Sequence, residues 1–154
     1  MSLNIGDPAP TFNLPSTTGA DLSSQSLTGK RYVLFFYPKD NTPGCTTESC
    51  DFTTAYGEFA DHNCEILGVS KDSLKSHNNF KSKYNMPFEL ISDPDETLCR
   101  AYDVIKMKSM YGKQFEGIER STFLVDEQGI IKEIWRKVKV KGHVDEVLQR
   151  VKAL

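Results

Sequence analysis

Apolar residues along this chain fall into short unbroken runs, and between the runs lie stretches where they recur every three or four positions. Residues 32–37 are wholly apolar or aromatic and rich in β-formers, the pattern of a strand covered on both faces in mid-sheet. Pro38 ends that run, because proline has no N–H to give a ladder. Residues 64–69 and 88–91 predict two more short strands. Residues 120–125 and 130–135 predict a pair joined by a hairpin turn at 126–129. Helical spacing appears over 42–60, where Phe52, Tyr56 and Phe59 share a face. A further helix opens at Ser70-Lys-Asp-Ser and runs towards Tyr84, and a short one runs from Asp93-Pro94 through Tyr102. The last spans 144–152 and lines up Val144, Val147, Leu148 and Val151. Residues 5–30, rich in Pro, Thr, Ser and Gly, predict a small hairpin turning at Thr18-Gly19, and residues 106–118 read as a loop.

Strand, helix, strand, helix, then a hairpin and a terminal helix predict an α/β protein. Its central mixed sheet is flanked by helices in the thioredoxin-like arrangement, with an N-terminal β-hairpin extension, as one domain over residues 1–154. The chemistry is concentrated just after the first buried run. Thr42-Pro43 is a good helix entry: threonine can cap, and proline's missing N–H would have had no partner at the first helical position. Cys45 then falls in the first helical turn, facing unpaired backbone N–H groups and the positive end of the helix dipole. Both favour thiolate over thiol, and only the thiolate is a strong nucleophile. An activated sulfur is thus expected at the carboxyl end of a central strand, where open α/β sheets keep their sites. The competing reading makes Cys45 a small buried hydrophobe, since free cysteine is among the most buried residue types.

Composition narrows the partners. At 154 residues the chain has a core large enough to need neither metal nor disulfide for support. Nineteen basic and twenty-one acidic residues, a formal net of −2, suggest no nucleic-acid partner, and the basic-apolar alternation over 132–141 reads as a solvated strand face. Four cysteines in a chain with strong strand and helix signals point to a reducing compartment rather than a secreted disulfide framework. No basic leader precedes an apolar segment, and no run approaches the ~20 apolar residues that span a bilayer, so a soluble, cytoplasmic chain without membrane contact is expected.

The residues around Cys45 resemble a known family. Pro38, Thr42 and Cys45 match the Pro-x3-Thr-x2-Cys signature of peroxiredoxins, and the longer string from Phe36 to Cys50 is similar to the bacterioferritin-comigratory, or peroxiredoxin Q, branch. The similarity extends to Gly6-Asp-Pro-Ala-Pro, Leu27-Thr-Gly-Lys30, Tyr111-Gly-Lys113 and the stretch from Gly117 to Asp126. This resemblance implies a thiol peroxidase that reduces hydrogen peroxide and alkyl hydroperoxides without metal or organic cofactor. Cys45 would be the peroxidatic residue, with Thr42, Pro38 and Arg120 beside it. A guanidinium can stabilise both the thiolate and the oxygen that gains charge as O–O breaks. A threonine hydroxyl can donate to one peroxide atom while accepting from another. Proline has no donor and would help keep water from the sulfur. Without the family pattern, Arg120 would read as a surface ion pair with Glu119 or Glu116. Glu48, three residues after Cys45, lies on the same side of the helix and is a candidate to orient Arg120 through a bidentate pair.

The resemblance also implies that Cys50 resolves the sulfenic acid as an intramolecular Cys45–Cys50 disulfide, that thioredoxin or else glutaredoxin recycles it, and that the protein is a monomer. Geometry adds a condition. Five residues apart in one helix, two Cα atoms stand ~8.6 Å apart. A disulfide needs less than ~7 Å. The first turns of the helix must therefore unwind, for which Gly44 and the β-branched Thr42, Thr46 and Thr47 suit them. Cys64 and Cys99 match no resolving position and read as buried or incidental, Cys99 being the more credible backup. Rival classes were a metal site from Cys45, Cys50, His62 and Cys64, a disulfide reductase, a thioredoxin-fold binding module and a Cys–His hydrolase. The Cys-x4-Cys spacing suits neither zinc nor a reductase, and His62, His77 and His143 stand in no recognisable pairing motif. Phe36 and Tyr37 read equally as core or as an alkyl-binding surface.

Overall fold

The structure, a computed structural model, describes residues 3–154. A hairpin of β1 (Asn13–Pro15) and β2 (Asp21–Ser23) opens the chain, and a 3-10 turn at Ser24–Leu27 leads to β3 (Arg31–Phe36). Then come α1 (Pro43–Asp61), β4 (Cys64–Ser70), α2 (Leu74–Lys83), β5 (Glu89–Ser92) and α3 (Thr97–Ala101). The second half holds β6 (Ile105–Met110), β7 (Lys113–Ile118), β8 (Ser121–Val125), β9 (Ile131–Trp135) and α4 (His143–Lys152).

The main sheet runs β5-β4-β3-β8-β9, and β3 lies in its middle, as its unbroken apolar run requires. It pairs parallel with β4 on one side and antiparallel with β8 on the other, which makes the sheet mixed. This is the expected thioredoxin-like arrangement. Side chains of β3 alternate between two cores. Leu34 and Phe36 face α3 with Leu98 and Tyr102, while Val33 and Phe35 face Phe52 and Phe59 of α1 and Val147 and Val151 of α4. Phe35 stacks on Phe52 with ring centroids 4.6 Å apart, and Gly68 of β4 makes room, since a Cβ there would stand 2.9 Å from the Phe35 ring.

One expectation fails. Residues 106–118 are not a loop: β6 and β7 form a separate antiparallel hairpin that turns at Tyr111 (φ 53°) and Gly112 (φ 77°). Two successive positive φ angles are what a tight two-residue hairpin turn demands. The hairpin presents Met107, Met110, Tyr111 and Phe115 to solvent, so no buried face imposes an apolar-polar alternation on its sequence. The short helix before it is also shorter than expected, starting at Thr97 rather than at Asp93-Pro94. Among the described residues, no helix is long and apolar enough to cross a membrane.

Candidate active site

The register of the sheet builds the site. Phe36, the last residue of β3, pairs with Ser121, the first of β8. Arg120 therefore emerges beside the point where the chain leaves β3 for the loop before α1. A separation of 75 residues in sequence closes to 3.3 Å between Arg120 Nη2 and Cys45 Sγ.

Thr42 stands at the N-cap of α1, with Pro43 at its first position, as the sequence suggests. Its hydroxyl, however, makes no capping bond and donates instead to the Lys39 carbonyl at 2.8 Å. That bond tightens the loop, and the N–H groups at the start of α1 are left without this hydroxyl as an acceptor. Cys45 follows in the first turn and is buried, at 1% exposure. Gly44 precedes it and lets the guanidinium pass close over the helix, since a Cβ there would sit 3.1 Å from Arg120 Nη2.

Arg120 is held from its other side by Glu48, whose Oε1 accepts from Nη1 at 2.8 Å. The pair is not the bidentate one expected: Oε2 of Glu48 is buried and has no hydrogen-bond partner. Burial pushes the Glu48 carboxyl up to about 7, with the Arg120 charge and hydrogen bond pulling the other way. For Arg120, burial opposes the cation, but Glu48 and Cys45 outweigh it and keep the guanidinium firmly charged. The alternative pairing of Arg120 with Glu116 is not made, because Glu116 pairs with Arg100.

Of the residues singled out from sequence, Cys45, Glu48 and Arg120 are in direct contact. Thr42 and Pro38 flank them in the same loop and helix start. Cys50 is half-buried in the same unbroken helix, and all four cysteines are free thiols. Cys64 is pushed up to about 12 and Cys99 is also raised, in both cases first by burial, as suits packed rather than reactive sulfurs. Phe36 and Tyr37 are fully buried and belong to the core.

Sequence reasoning missed three features. Lys108, on the hairpin strand read as a loop, lies in the electrostatic field of the site. Burial and Arg120 lower its pKa, while Cys45 and Glu119 raise it. His143 is buried against Thr122 at 2.8 Å and is pushed down to about 4 by burial. The third feature is a buried network of Asp40, Asp72 and His77 behind the loop. Among the described residues, these three form the cluster whose ligand-type atoms converge, all within 4.8 Å, whereas Cys45, Cys50, His62 and Cys64 do not. The network's atoms are already taken up by hydrogen bonds to Tyr37, Ser70, Ser76 and Ile91.

Known proteins resemble this chain over nearly its whole length. A family model described as the AhpC/TSA family matches residues 5–134. Peroxiredoxin Bcp of Xanthomonas campestris is 54% identical, over 95% of this chain and 92% of that protein. A crystal structure of a cysteine-to-serine mutant of Xylella fastidiosa PrxQ superposes with a TM-score of 0.94 at 44% identity, covering 99% of this chain and 98% of that one. A Xanthomonas campestris bacterioferritin comigratory protein structure, described as giving insight into its alkyl peroxide reduction activity, superposes at 0.88 with 52% identity, covering 92% and 90%.

Proposed function

The chain belongs to the AhpC/TSA family, in its peroxiredoxin Bcp or Q branch, and from that premise we propose that Cys45 reduces hydrogen peroxide and alkyl hydroperoxides with Arg120, Thr42 and Pro38. The observation that carries this reading is the Arg120 Nη2 contact to the buried Cys45 sulfur at 3.3 Å, at the start of a helix.

The thiolate attacks the peroxide oxygen bearing hydrogen, an S–O bond forms and the O–O bond breaks, leaving Cys45 as a sulfenic acid and releasing an alkoxide or hydroxide that takes up a proton. Arg120 faces both the sulfur and the oxygen gaining charge, where a fixed cation in a dry site is most effective. Thr42 and Pro38 shape the approach. Glu48 positions Arg120 rather than touching substrate. The Cys50 thiol then displaces water from the sulfenic acid to close the Cys45–Cys50 disulfide, and a dithiol partner, thioredoxin, reduces it by exchange. No cofactor is required. The protein works as a single-domain monomer in the cytoplasm, where free thiols persist.

Because Cys45 and Cys50 sit in one continuous helix, disulfide closure requires α1 to lose its first turns. Peroxide consumption with thioredoxin, thioredoxin reductase and NADPH tests the whole cycle. Cys45→Ser is expected to abolish turnover. Cys50→Ser is expected to keep one stoichiometric peroxide reduction and lose the steady state. An oxidised protein whose helix remains intact through residue 50 would refute the resolving step, as would full turnover in Cys50→Ser.

A further inference from the structure

We propose that His77 and Asp40 share a proton in a buried ion pair that anchors the 38–42 loop in its peroxide-reactive shape, so that both are positioning residues for the reaction. The proposal rests on the peroxidase reading for what the loop does, but not for the protonation itself.

The protonation follows from counting donors. The His77 ring is fully buried on α2, and its Nε2 lies 2.9 Å from the Ile91 carbonyl oxygen. A carbonyl only accepts, so Nε2 must carry a hydrogen. The other nitrogen, Nδ1, lies 2.8 Å from Oδ2 of Asp40, which is itself 1% exposed. A neutral ring protonated at Nε2 would turn a bare lone pair towards a carboxylate oxygen at that distance, with no water to intervene. A proton therefore lies between them. The carboxylate is the better place for the negative charge, because Tyr37 Oη donates to Oδ1 at 2.7 Å and Ser76 Oγ to Oδ2 at 2.8 Å. The result is an imidazolium beside a carboxylate, neutral as a pair, with a donor on each carboxylate oxygen.

The charged and titratable groups that face this pair are Tyr37, just after β3, and Asp72 from the β4–α2 connection. Tyr37 Oη also stands 3.5 Å from Nδ1, and Asp72 accepts the Asp40 backbone N–H at 2.9 Å and the Ser70 hydroxyl at 2.6 Å. Burial first, then Asp40, suppress the ionisation of Tyr37, so it remains a donor.

Position turns this network into a device for the reaction. Asp40 sits midway between Pro38 and Thr42. After it, Asn41 takes a left-handed turn (φ 61°) and Thr42 starts α1. The loop is thus pinned to α2 by a side chain, to the next connection by its backbone, and through His77 to β5 at the sheet edge. Everything before Asp40 is fixed, and the first turns of α1, which must unwind for Cys45 to reach Cys50, begin just beyond the pin. Weakening the pin slackens the placement of Thr42 and Cys45 and lowers the barrier to unwinding.

The test uses the reduced protein. Nitrogen-15 NMR of histidine-labelled wild type at pH 7 is expected to show both His77 ring nitrogens protonated. A bare nitrogen there overturns the proposal. In single-turnover mixing with hydrogen peroxide, His77→Asn and Asp40→Asn are each expected to slow Cys45 oxidation up to about 10²-fold, the scale of a ~1 Å misplacement. The same variants are expected to close the Cys45–Cys50 disulfide faster than wild type, an opposed pair of changes that general loss of stability does not produce. A folded variant with wild-type rates in both steps overturns the positioning role. If His77→Asn does not fold, Asp40→Asn and the wild-type spectrum decide. Should wild type fail to react with peroxide, or Cys45→Ser react equally, the peroxidase reading falls, while the spectrum still reports on the shared proton.

Discussion

Two buried carboxylates stand at the two ends of the turn into α1, and the fold treats them in opposite ways. Asp40 receives Tyr37 on one oxygen and Ser76 and His77 on the other, so that both its oxygens are engaged. Glu48 receives one guanidinium nitrogen on Oε1, and its Oε2 is buried without a partner. A carboxylate gripped on both oxygens is a finished joint. One gripped at a single point in a dry site sits near neutrality, which is why Glu48 is raised to about 7. Incomplete satisfaction is tolerated at Glu48 because its partner, Arg120, has a second duty at the sulfur.

The sharpest way to break this contrast is Arg120→Ala. The change removes the donor from Cys45 and, among the described residues, the one hydrogen-bond partner of the Glu48 carboxylate, and nothing from Asp40. Loss of a fixed cation at developing negative charge costs about 10²- to 10³-fold in rate. Stopped-flow oxidation of Cys45 by hydrogen peroxide is expected to slow by that factor. Glu48, buried without its cation, is expected to hold its proton to still higher pH. The His77 ring resonances are expected to stay where they are. Movement of those resonances would mean the two carboxylates are coupled through the loop rather than independently built.

How much of this was readable beforehand depends on whether a signal was local. The strand at 31–36 announced itself because both its faces are covered, and α1 because Thr42-Pro43 is a local helix start. Helical spacing put Glu48 on the side of Cys45, but spacing alone left it equally a solvated carboxylate, since its partner Arg120 came only from the family pattern. Arg120 itself gave no local signal: its place beside Cys45 depends on the antiparallel register of Phe36 with Ser121. The hairpin at 105–118 escaped because both faces of its tip meet solvent, so the short alternation over 105–108 is not carried through its turn at Tyr111-Gly112. The Asp40–His77 pair escaped for a different reason. It joins residues 37 positions apart through a ring that looks, in sequence, like any histidine on a helix.

Glu48→Gln sharpens the contrast at the level of stability. A carboxyl raised from 4.5 to about 7 in the folded protein binds its proton more tightly there than in the unfolded chain. Its contribution is therefore fully present below the unfolded value of about 4.5 and is lost as pH rises through about 7. The swing amounts to roughly 3 kcal/mol. Urea unfolding of wild type is expected to show stability falling between pH 4.5 and 7 by an amount of that order, and Glu48→Gln is expected to flatten this slope. The amide can still accept from Nη1, so the peroxide rate is expected to fall only about tenfold, from weaker electrostatic orientation of Arg120. An unchanged slope in the variant would show that Glu48 is not the residue being titrated.

Gly44→Ala makes the smallest and most local disturbance. The new methyl would meet Arg120 Nη2 at 3.1 Å, closer than such atoms normally rest, and Cζ at an ordinary 3.8 Å, while touching nothing near Asp40. Arg120 cannot move freely, since Nη1 is tied to Glu48 and Nη2 to the sulfur. A shift of a few tenths of an ångström is enough to lengthen the contact that the reaction uses. Alanine is also the better helix former, by about 0.5–1 kcal/mol. The two effects therefore oppose: thermal stability is expected to hold or rise slightly, while the rate with peroxide falls about three- to tenfold. Melting temperature and single-turnover rate, measured on the same sample, separate them. If the rate holds while stability rises, the close pass of the guanidinium over the first turn is incidental to the chemistry, and the glycine serves only the unwinding of the helix.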